Sequence, residues 1–450
     1  PWGLRWRGSV WYVTFVVGLG VMTDLLVYSV VIPVLPFQLE NLGYTSVSGL
    51  VGWLLFGYSG GLVVSTLPIA LFSEKYNTRT WPLILGQVIL IGSQIMLMEA
   101  PTYWLMVLAR IIQGVSSSII WVVGLALLCD TAAESVVGRQ LGIAVTGLSI
   151  GGLLGPVLGG VLYNRFGFRG PGICAIIFTA VDLIGRLLII ERKDAIKYGM
   201  DPAQEHSAEA EAPVELAVNS ETAKENDSSL PVSQGSDLVE LHKAPVLNLM
   251  GVITRLARSP RALTVMFCTV IYGIVYAGIE PALPLHLQAV WNFNASKVGL
   301  VYLAGVLPTL FTSPLAGWLT DKFGPEWVVA CATALSLPWF GLLAVQTSLA
   351  FFIAMFCLAN GILTAVVPPL TTEFASVSRQ HEGMGYAHVY GAFNLSFGIG
   401  AAREWLLHTS YHQLMYDHIQ RGWLAICFFC IGILALCAIL AALFVGERPL

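Results

Sequence analysis

Residues 140–163 read QLGIAVTGLSIGGLLGPVLGGVLY and contain no charged side chain. A bilayer core about 30 Å thick is crossed by a helix of about 20 mostly apolar residues, so this stretch predicts a membrane-spanning helix. Gly147, Gly151, Gly155 and Gly159 recur every four residues and share one face of that helix. A face of small residues lets another helix approach closely.

Eleven further stretches have similar length and apolar content. The twelve predicted spans are 10–35, 47–71, 81–98, 103–129, 140–163, 171–190, 263–287, 298–319, 327–345, 349–369, 385–406 and 423–445. The predicted fold class is an all-α membrane protein with twelve transmembrane helices in two six-helix bundles.

The composition agrees with this prediction. Apolar types make up 56% of the 450 residues, and charged residues make up 11%, against about 25% in an ordinary soluble domain. This balance excludes a soluble enzyme and a disordered chain. A net charge of −4 offers no basic surface for phosphates, so we expect a lipid bilayer as surroundings and no nucleic acid as partner.

The charged residues divide the chain into three parts. Residues 191–262 hold 20 of the 50 charged residues, and much of this segment has no apolar period. We therefore expect an N-terminal bundle over 1–190, a largely disordered cytoplasmic loop over 191–262, and a C-terminal bundle over 263–450.

Lysine and arginine set the expected orientation, because cytoplasmic loops carry more of both. With both termini in the cytoplasm, the cytoplasmic segments carry 16 of these residues and the outer loops carry 5, with Arg403 at the outer end of the eleventh span included. Without the central loop the ratio is 8 to 5. In this topology Asn294, in Asn294-Ala-Ser296, is a glycosylation acceptor on an outer loop.

The two apolar halves repeat each other in sequence. Pro33-Val-Leu-Pro36 matches Pro281-Ala-Leu-Pro284 at an offset of 248 residues, and Asp130 matches Glu373 at an offset of 243. A duplicated unit of six spans predicts two bundles around a central cavity that opens to either side.

Two motifs resemble those of the major facilitator superfamily, and the resemblance covers essentially the whole chain. The loop after the eighth span reads Pro314-Leu-Ala-Gly-Trp-Leu-Thr-Asp-Lys-Phe-Gly324, similar to the family's G-x-L-x-D-R-x-G loop. Arg110-Ile-Ile-Gln113-Gly114 is similar to its R-x-x-Q-G motif. The resemblance implies that the loops latch the two bundles. The gating residues that it implies are Glu74, Lys75, Arg79, Asp130, Gly317, Asp321, Lys322, Gly324 and Glu373.

The fifth span resembles one particular group within the superfamily. It resembles the G-x-x-x-G-P-x-x-G-G signature of drug:proton antiporters. The residues that match are Gly147, Gly151, Gly155, Pro156, Gly159 and Gly160.

The first and seventh spans look like those of vesicular amine transporters and their fungal relatives. The resemblance rests on Asp24-Leu-Leu-Val-Tyr28 with the following Ile-Pro-Val-Leu-Pro, and on Glu280-Pro-Ala-Leu-Pro284. In those relatives the two acids contact a cationic amine and protons. Where those relatives have further intramembrane acids, this chain has Leu363 and Tyr390, and where they have a lysine in the second span, it has Ser59. The resemblance therefore leaves open whether the substrate is a monoamine.

Ionisable side chains inside apolar helices are costly unless they face a cavity or a partner. Asp24 and Glu280 are therefore the predicted sites at which a proton is exchanged for a cationic substrate, with the uncharged structural acid as the alternative. Arg110 either pairs with such a carboxylate or extends toward the outer interface. Residues considered as possible cavity lining are Tyr28, Gln113, Asp182, Arg186, Tyr276, His388, Tyr390 and Asn394.

The predicted function is a proton-coupled antiporter that exports small amphipathic or cationic molecules from the cytoplasm, as a monomer, in the plasma or vacuolar membrane. A symporter or facilitator of a small polar solute is the nearest alternative, and a non-transporting membrane sensor is an alternative of another class. The sequence contains no H-E-x-x-H motif and no phosphate-binding loop. We therefore expect no enzyme activity, no catalytic residue, no metal and no cofactor.

Overall fold

The computed structural model describes residues 2–44, 47–76, 78–204, 249–293, 295–345, 347–380, 384–417 and 419–446. Within these ranges, residues 36, 47–49, 249, 250, 280, 281, 284, 285, 288, 289, 295, 296 and 403–421 are described by their backbone alone. Two predictions therefore lie outside the description: the side chain of Glu280 and the acceptor Asn294. Most of the central loop, residues 205–248, lies outside it as well.

The described chain is built from α-helices. The N half contains α1 (Leu4–Arg7), α2 (Val10–Val30), α3 (Leu35–Asn41), α4 (Val47–Tyr76), α5 (Thr80–Met98), α6 (Tyr103–Thr131), α7 (Val137–Phe166) and α8 (Arg169–Leu187). The central segment contributes α9 (Arg192–Lys197) and α10 (Leu249–Arg258). The C half contains α11 (Pro260–Trp291), α12 (Ala295–Val306), α13 (Thr309–Phe323), α14 (Pro325–Leu342), α15 (Leu349–Thr364), α16 (Val367–Gln380), α17 (Tyr386–Asp417) and α18 (Ile419–Phe444).

Ten helical segments among the described residues are long and apolar enough to cross a membrane. Helices α14 and α17 occupy the positions of the ninth and eleventh predicted spans. The predicted all-helical, two-bundle fold is therefore confirmed.

Three predicted spans are interrupted near prolines, which the sequence analysis treated as continuous. The first ends at Val30, before Pro33, and the eighth is divided between Val306 and Thr309. The tenth is divided before Pro368 and Pro369, which lie in the first turn of α16. Proline lacks the backbone N–H that a helix interior requires, whereas the first turn leaves its N–H groups unpaired anyway.

One end of the bundle carries residues 132–136 and 188–204, and we call it the loop face. Helices α4, α6, α8, α13 and α16 end there, and α5, α7, α11, α14 and α17 begin there. The other end is called the opposite face. This arrangement places the mid-helix residues of α2, α6, α7, α11 and α17 between the two faces, where a central site can form.

Candidate functional site

A cavity lies between the two halves. Its walls are mostly aromatic and aliphatic, with a few hydroxyl and amide groups. Lining residues from the N half include Tyr28, Tyr58, Ser59, Ser117 and Trp121, and those from the C half include Tyr272, Tyr276, Phe393, Asn394 and Phe397. Such an apolar wall with few polar groups is typical of a site for small organic molecules.

Asp24 lies directly behind the wall of this cavity and is completely buried. Its Oδ2 accepts hydrogen bonds from the Ser117 hydroxyl at 2.6 Å and from the Trp121 indole N–H at 3.0 Å. No described residue donates to its Oδ1. The Tyr58 hydroxyl donates to Ser117 at 2.8 Å, so a hydrogen-bonded chain connects the cavity with the carboxyl group.

Arg110 is also completely buried, but it forms no ion pair with Asp24 in this structure. Its guanidinium carbon lies 5.6 Å from the centre of the Tyr28 ring, and Nη1 donates to Gln113 at 2.8 Å. Tyr28 in turn packs on Tyr58, with ring centres 4.6 Å apart. The arginine therefore supports the aromatic wall through a cation–π contact, which is strong where water is excluded.

Four predicted lining residues have other partners and do not line the cavity. His388 lies near the loop face, and its Nδ1 accepts from the Gly385 backbone at 3.2 Å. The Tyr390 hydroxyl lies 2.9 Å from the sulfur of Cys129 and donates to the Thr371 carbonyl. Asp182 and Arg186 form a buried ion pair of 2.9 Å inside the N half.

The Asp182–Arg186 pair nevertheless lies near the site. Gln87 donates to Asp182, and Arg186 lies against Gly20, one helical turn before Asp24 on α2. Both charges act electrostatically on the Asp24 carboxyl group. Gln113, another predicted lining residue, serves instead as the acceptor for Arg110. Tyr28, Tyr276 and Asn394 do line the cavity, as expected from the sequence.

Charged groups join the two halves at the loop face. The Asp321 carboxylate, from the end of α13, accepts from the backbone N–H groups of Gly138 at 2.8 Å and Arg139 at 2.7 Å. These N–H groups belong to the first turn of α7, which has no intrahelical partners for them and attracts negative charge. Gly317 lies against the backbone of Gly138, so the two helices touch at their backbones.

Arg79 is the centre of a second cluster at this face. It donates to Asp130, Glu74 and Ser73 at 2.6–2.8 Å. Glu74 also accepts from the Ala387 backbone N–H in the C half at 2.8 Å. Glu373 is buried at the corresponding place in the C half and binds Arg261.

The other predicted gating residues have simpler roles. Lys75 and Lys322 are exposed and lie over the rings of Tyr76 and Trp318. Gly324 has a φ of 91° at the junction of α13 and α14, which glycine adopts without strain.

Among the described residues, several hydrogen bonds and an ion pair connect the halves between the middle of the bundle and the loop face. They join Glu74 with Ala387, Cys129 with Tyr390, Glu134 with Arg379, Asp321 with Gly138 and Arg139, and Asn394 with Thr66 and Ser118. The structure is therefore held closed on the loop-face side of the cavity.

The glycines of α7 pack this helix on α2. Added Cβ atoms at Gly147, Gly151 and Gly159 would overlap the backbone oxygens of Gly18, Met22 and Val30. Gly155 lies against Ser29, whose hydroxyl donates to the Leu25 carbonyl. Gly160 has no neighbour within 4 Å of such an atom, and Pro156 lies inside the helix. The close contact therefore places α2, and with it Asp24, beside the cavity.

Ser117 and Trp121 are site residues that the sequence analysis missed. Both lie in α6 four residues apart, on one face of the helix. The only available signal was a run of three serines, Ser116–Ser118, inside a membrane span. The first donates to the Gly86 carbonyl and the second to Asp24, so the run serves both packing and the site.

The arrangement of two helical halves around a central cavity has known counterparts. The family model of the Major Facilitator Superfamily matches residues 17–260 and 265–450. The chain belongs to this superfamily. It is thus a transporter of the superfamily and a multi-pass membrane protein.

Three similar proteins illustrate the range of relatives. The chain is 28% identical to an MFS-type transporter, ppzB, of Metarhizium rileyi, over 89% of both chains. It is 25% identical to the multidrug resistance protein Stp of Mycobacterium tuberculosis, over 74% of this chain and 64% of that one. It is also 25% identical to the human chromaffin granule amine transporter, over 71% of this chain and 52% of that one.

A solved structure shares the fold. The human organic anion transporter MFSD10 (TETRAN) matches with a TM-score of 0.70 and 18% identity, over 96% of this chain and 99% of that chain. This likeness concerns the fold alone. The names of these relatives differ in the charge of what is carried, so the substrate has to be argued from the site.

Proposed function

We propose that this transporter is a proton-coupled antiporter that exports small amphipathic or cationic organic molecules, drugs and secondary metabolites included. The observation that carries the proposal is the position of Asp24. Its carboxyl group is fully buried, and no described residue pairs with one of its two oxygens. The other oxygen is hydrogen-bonded to Ser117, which lines the aromatic cavity. The similarity to proteins named as multidrug and amine transporters is in line with it.

The chemistry of exchange follows from the surroundings of Asp24. An apolar environment favours the neutral carboxyl group, whereas a nearby cation favours the carboxylate. A proton and a cationic substrate therefore compete for the same group. The rings of Tyr28, Tyr58 and Trp121 attract a cation through their faces and provide apolar contact for the rest of the molecule.

We further propose that the loop face lies in the cytoplasm and that the chain acts as a monomer in the plasma or vacuolar membrane. The excess of lysine and arginine in the segments at this face supports the orientation. Since one chain supplies both walls of the cavity, a second copy is not needed to complete the site.

The test uses the purified protein in liposomes that contain a pH-sensitive dye. A gradient of a cationic amphipath is imposed, and proton movement is followed for the wild type, Asp24→Asn and the control Glu99→Gln. Glu99 is an exposed carboxylate that pairs with Arg169 at the opposite face. We expect protons to move against the substrate in the wild type and the control, and the rate to fall about tenfold or more in Asp24→Asn, because a charged hydrogen-bonding group is lost.

The other outcomes decide between mechanisms. Protons that move with the substrate indicate a symporter, and substrate flux without proton movement indicates a facilitator. An antiporter that exchanges one proton per cation sustains about tenfold accumulation for each pH unit across the membrane, so the accumulation ratio also gives the stoichiometry. The variant Glu280→Gln, tested in parallel, shows whether the second predicted acid contributes.

A further inference from the structure

A second cavity lies next to the central one, between α7 of the N half and helices of the C half. Leu148 of α7 and Tyr276 of α11 line both cavities and therefore stand between them. We call the cavity near Asp24 the acid lobe and the second cavity the amide lobe. Other residues that line the amide lobe include Ser149, Gly152, Ile279, Tyr302, Asn360 and Thr364.

The two lobes differ in chemistry. The acid lobe has a buried carboxyl group behind its wall and three aromatic rings from the N half, those of Tyr28, Tyr58 and Trp121. The amide lobe has no charged residue among its described lining. Its polar groups are the side-chain amide of Asn360 and the hydroxyls of Ser149, Tyr276, Tyr302 and Thr364, which all carry a donor and an acceptor. The first lobe therefore favours a cation, and the second favours a neutral polar group with apolar surroundings.

The break between α12 and α13 fixes the position of Asn360. Pro308 has no N–H to donate to the Ala304 carbonyl, and the helix stops at Val306. The freed carbonyls are satisfied by α15: Cys357 donates to Ala304 at 3.1 Å, and Asn360 Nδ2 donates to Gly305 at 2.9 Å. The side-chain amide is thus held by its nitrogen.

The oxygen of the same amide remains available. Within the described residues no group donates to Asn360 Oδ1, and the side chain lies on the wall of the amide lobe. Asn360 is half-buried and lines the cavity, so a bound molecule that supplies an N–H or O–H group can form a hydrogen bond with this oxygen.

Tyr276 forms the partition between the lobes. Its ring stacks on Tyr272 at 6.0 Å and lies 6.4 Å from the ring of Phe397. Its hydroxyl is 3.9 Å from the position that a Cβ atom at Gly152 would take. Glycine at 152 therefore leaves the space next to this hydroxyl unfilled, and a larger side chain at 152 would occupy it.

We propose that the substrate is an elongated organic cation whose basic nitrogen lies in the acid lobe, whose apolar body passes Tyr276, and whose far end donates a hydrogen bond to Asn360 Oδ1. This inference rests on the proposed function and deepens it. It assigns Asn360 as a specificity-determining residue and Gly152 as the residue that keeps the passage open.

The test measures binding to the purified protein by calorimetry, with three matched probes. The first is a short arylalkylamine. The second carries, in addition, a flexible chain that ends in a primary amide, and the third carries a chain of equal length that ends in a methyl ester. The amide can donate a hydrogen bond, whereas the ester can only accept one. A short series of chain lengths finds the length that spans both lobes.

We expect the wild type to bind the amide probe about three- to tenfold more tightly than the ester probe, the range of one hydrogen bond. The preference disappears in Asn360→Leu and stays in the control Cys331→Ala, which lies at an exposed position. In Gly152→Leu the gain of either long probe over the short amine is lost. This second variant covers the case that Asn360→Leu, which also frees the Gly305 carbonyl, fails to fold.

Two results would overturn the inference. Equal binding of amide and ester probes to the wild type at every chain length excludes a donor at Asn360. A preference that persists in Asn360→Leu places the donor elsewhere. If no probe binds, the short amine included, the proposed cationic substrate is wrong, and the inference falls with it.

Discussion

The N half and the C half share an arrangement of packed helices, which we call the frame, but they differ in the charged side chains that they bury. In the N half, the charged side chains that are completely buried within the membrane-spanning segments include Asp24, Arg110, Asp182 and Arg186. In the C half, buried acidic side chains of the described part, Glu326 and Glu373, lie at the loop face, and Glu280 is outside this comparison. The comparison separates the features that both halves of the duplicated unit share from those that are described in the N half alone.

The shared frame includes two features. Asp130 and Glu373 each bind an arginine at the loop face. In addition, α2 packs closely on α7 through glycines, and α11 packs closely on α17 in the same way, with Gly400 against the backbone of Val270. The buried charges of the N half lie outside this shared frame.

The largest effect is expected for the ion pair of the N half. Arg186→Met leaves Asp182 buried without its partner, which costs about 3–5 kcal/mol of stability. Replacing both residues, as Asp182→Leu with Arg186→Met, removes most of that cost because no charge remains unpaired. Unfolding of the detergent-solubilised protein by denaturant measures both. A double variant as unstable as the single one would mean that Arg186 acts through contacts other than this pair.

The shared glycine packing gives a smaller effect, equal in both halves. Gly151→Ala and Gly400→Ala each force a methyl group against a helix backbone, and we expect each to cost about 1–3 kcal/mol. Gly160→Ala is the control, since nothing lies within 4 Å of its added atom. It should be neutral or slightly stabilising in the same unfolding measurement. If only one half responds, the frame is less symmetric than the structure indicates.

The smallest effect concerns a buried histidine in the C half. His286 is fully buried, its ring stacks on Trp423 at 4.3 Å, and both ring nitrogens are without partners among the described residues. His286→Phe keeps the stacking and removes two unpaired polar atoms. We expect no loss of stability, or a gain of up to about 1 kcal/mol. A clear loss in thermal unfolding would show that the imidazole has a polar role.

The sequence predicted the all-helical membrane fold and most of the helix ends, because length, apolar content and flanking charges are local properties. It also identified Asp24 and Arg110 as candidate site residues, because an ionisable residue in an apolar helix is conspicuous whichever way its side chain points. Helix breaks were missed at Pro308 and before Pro368, because a hydropathy pattern continues through a proline.

Only the tertiary structure decided which polar residues meet. A membrane helix is apolar on its lipid side and on much of its packed side, so periodicity does not identify the face that lines a cavity. For this reason Tyr390 and His388 were expected in the cavity, although packing turns them toward the loop face. For the same reason Ser117, Trp121 and Asn360 became recognisable only once helices from distant parts of the chain were placed side by side.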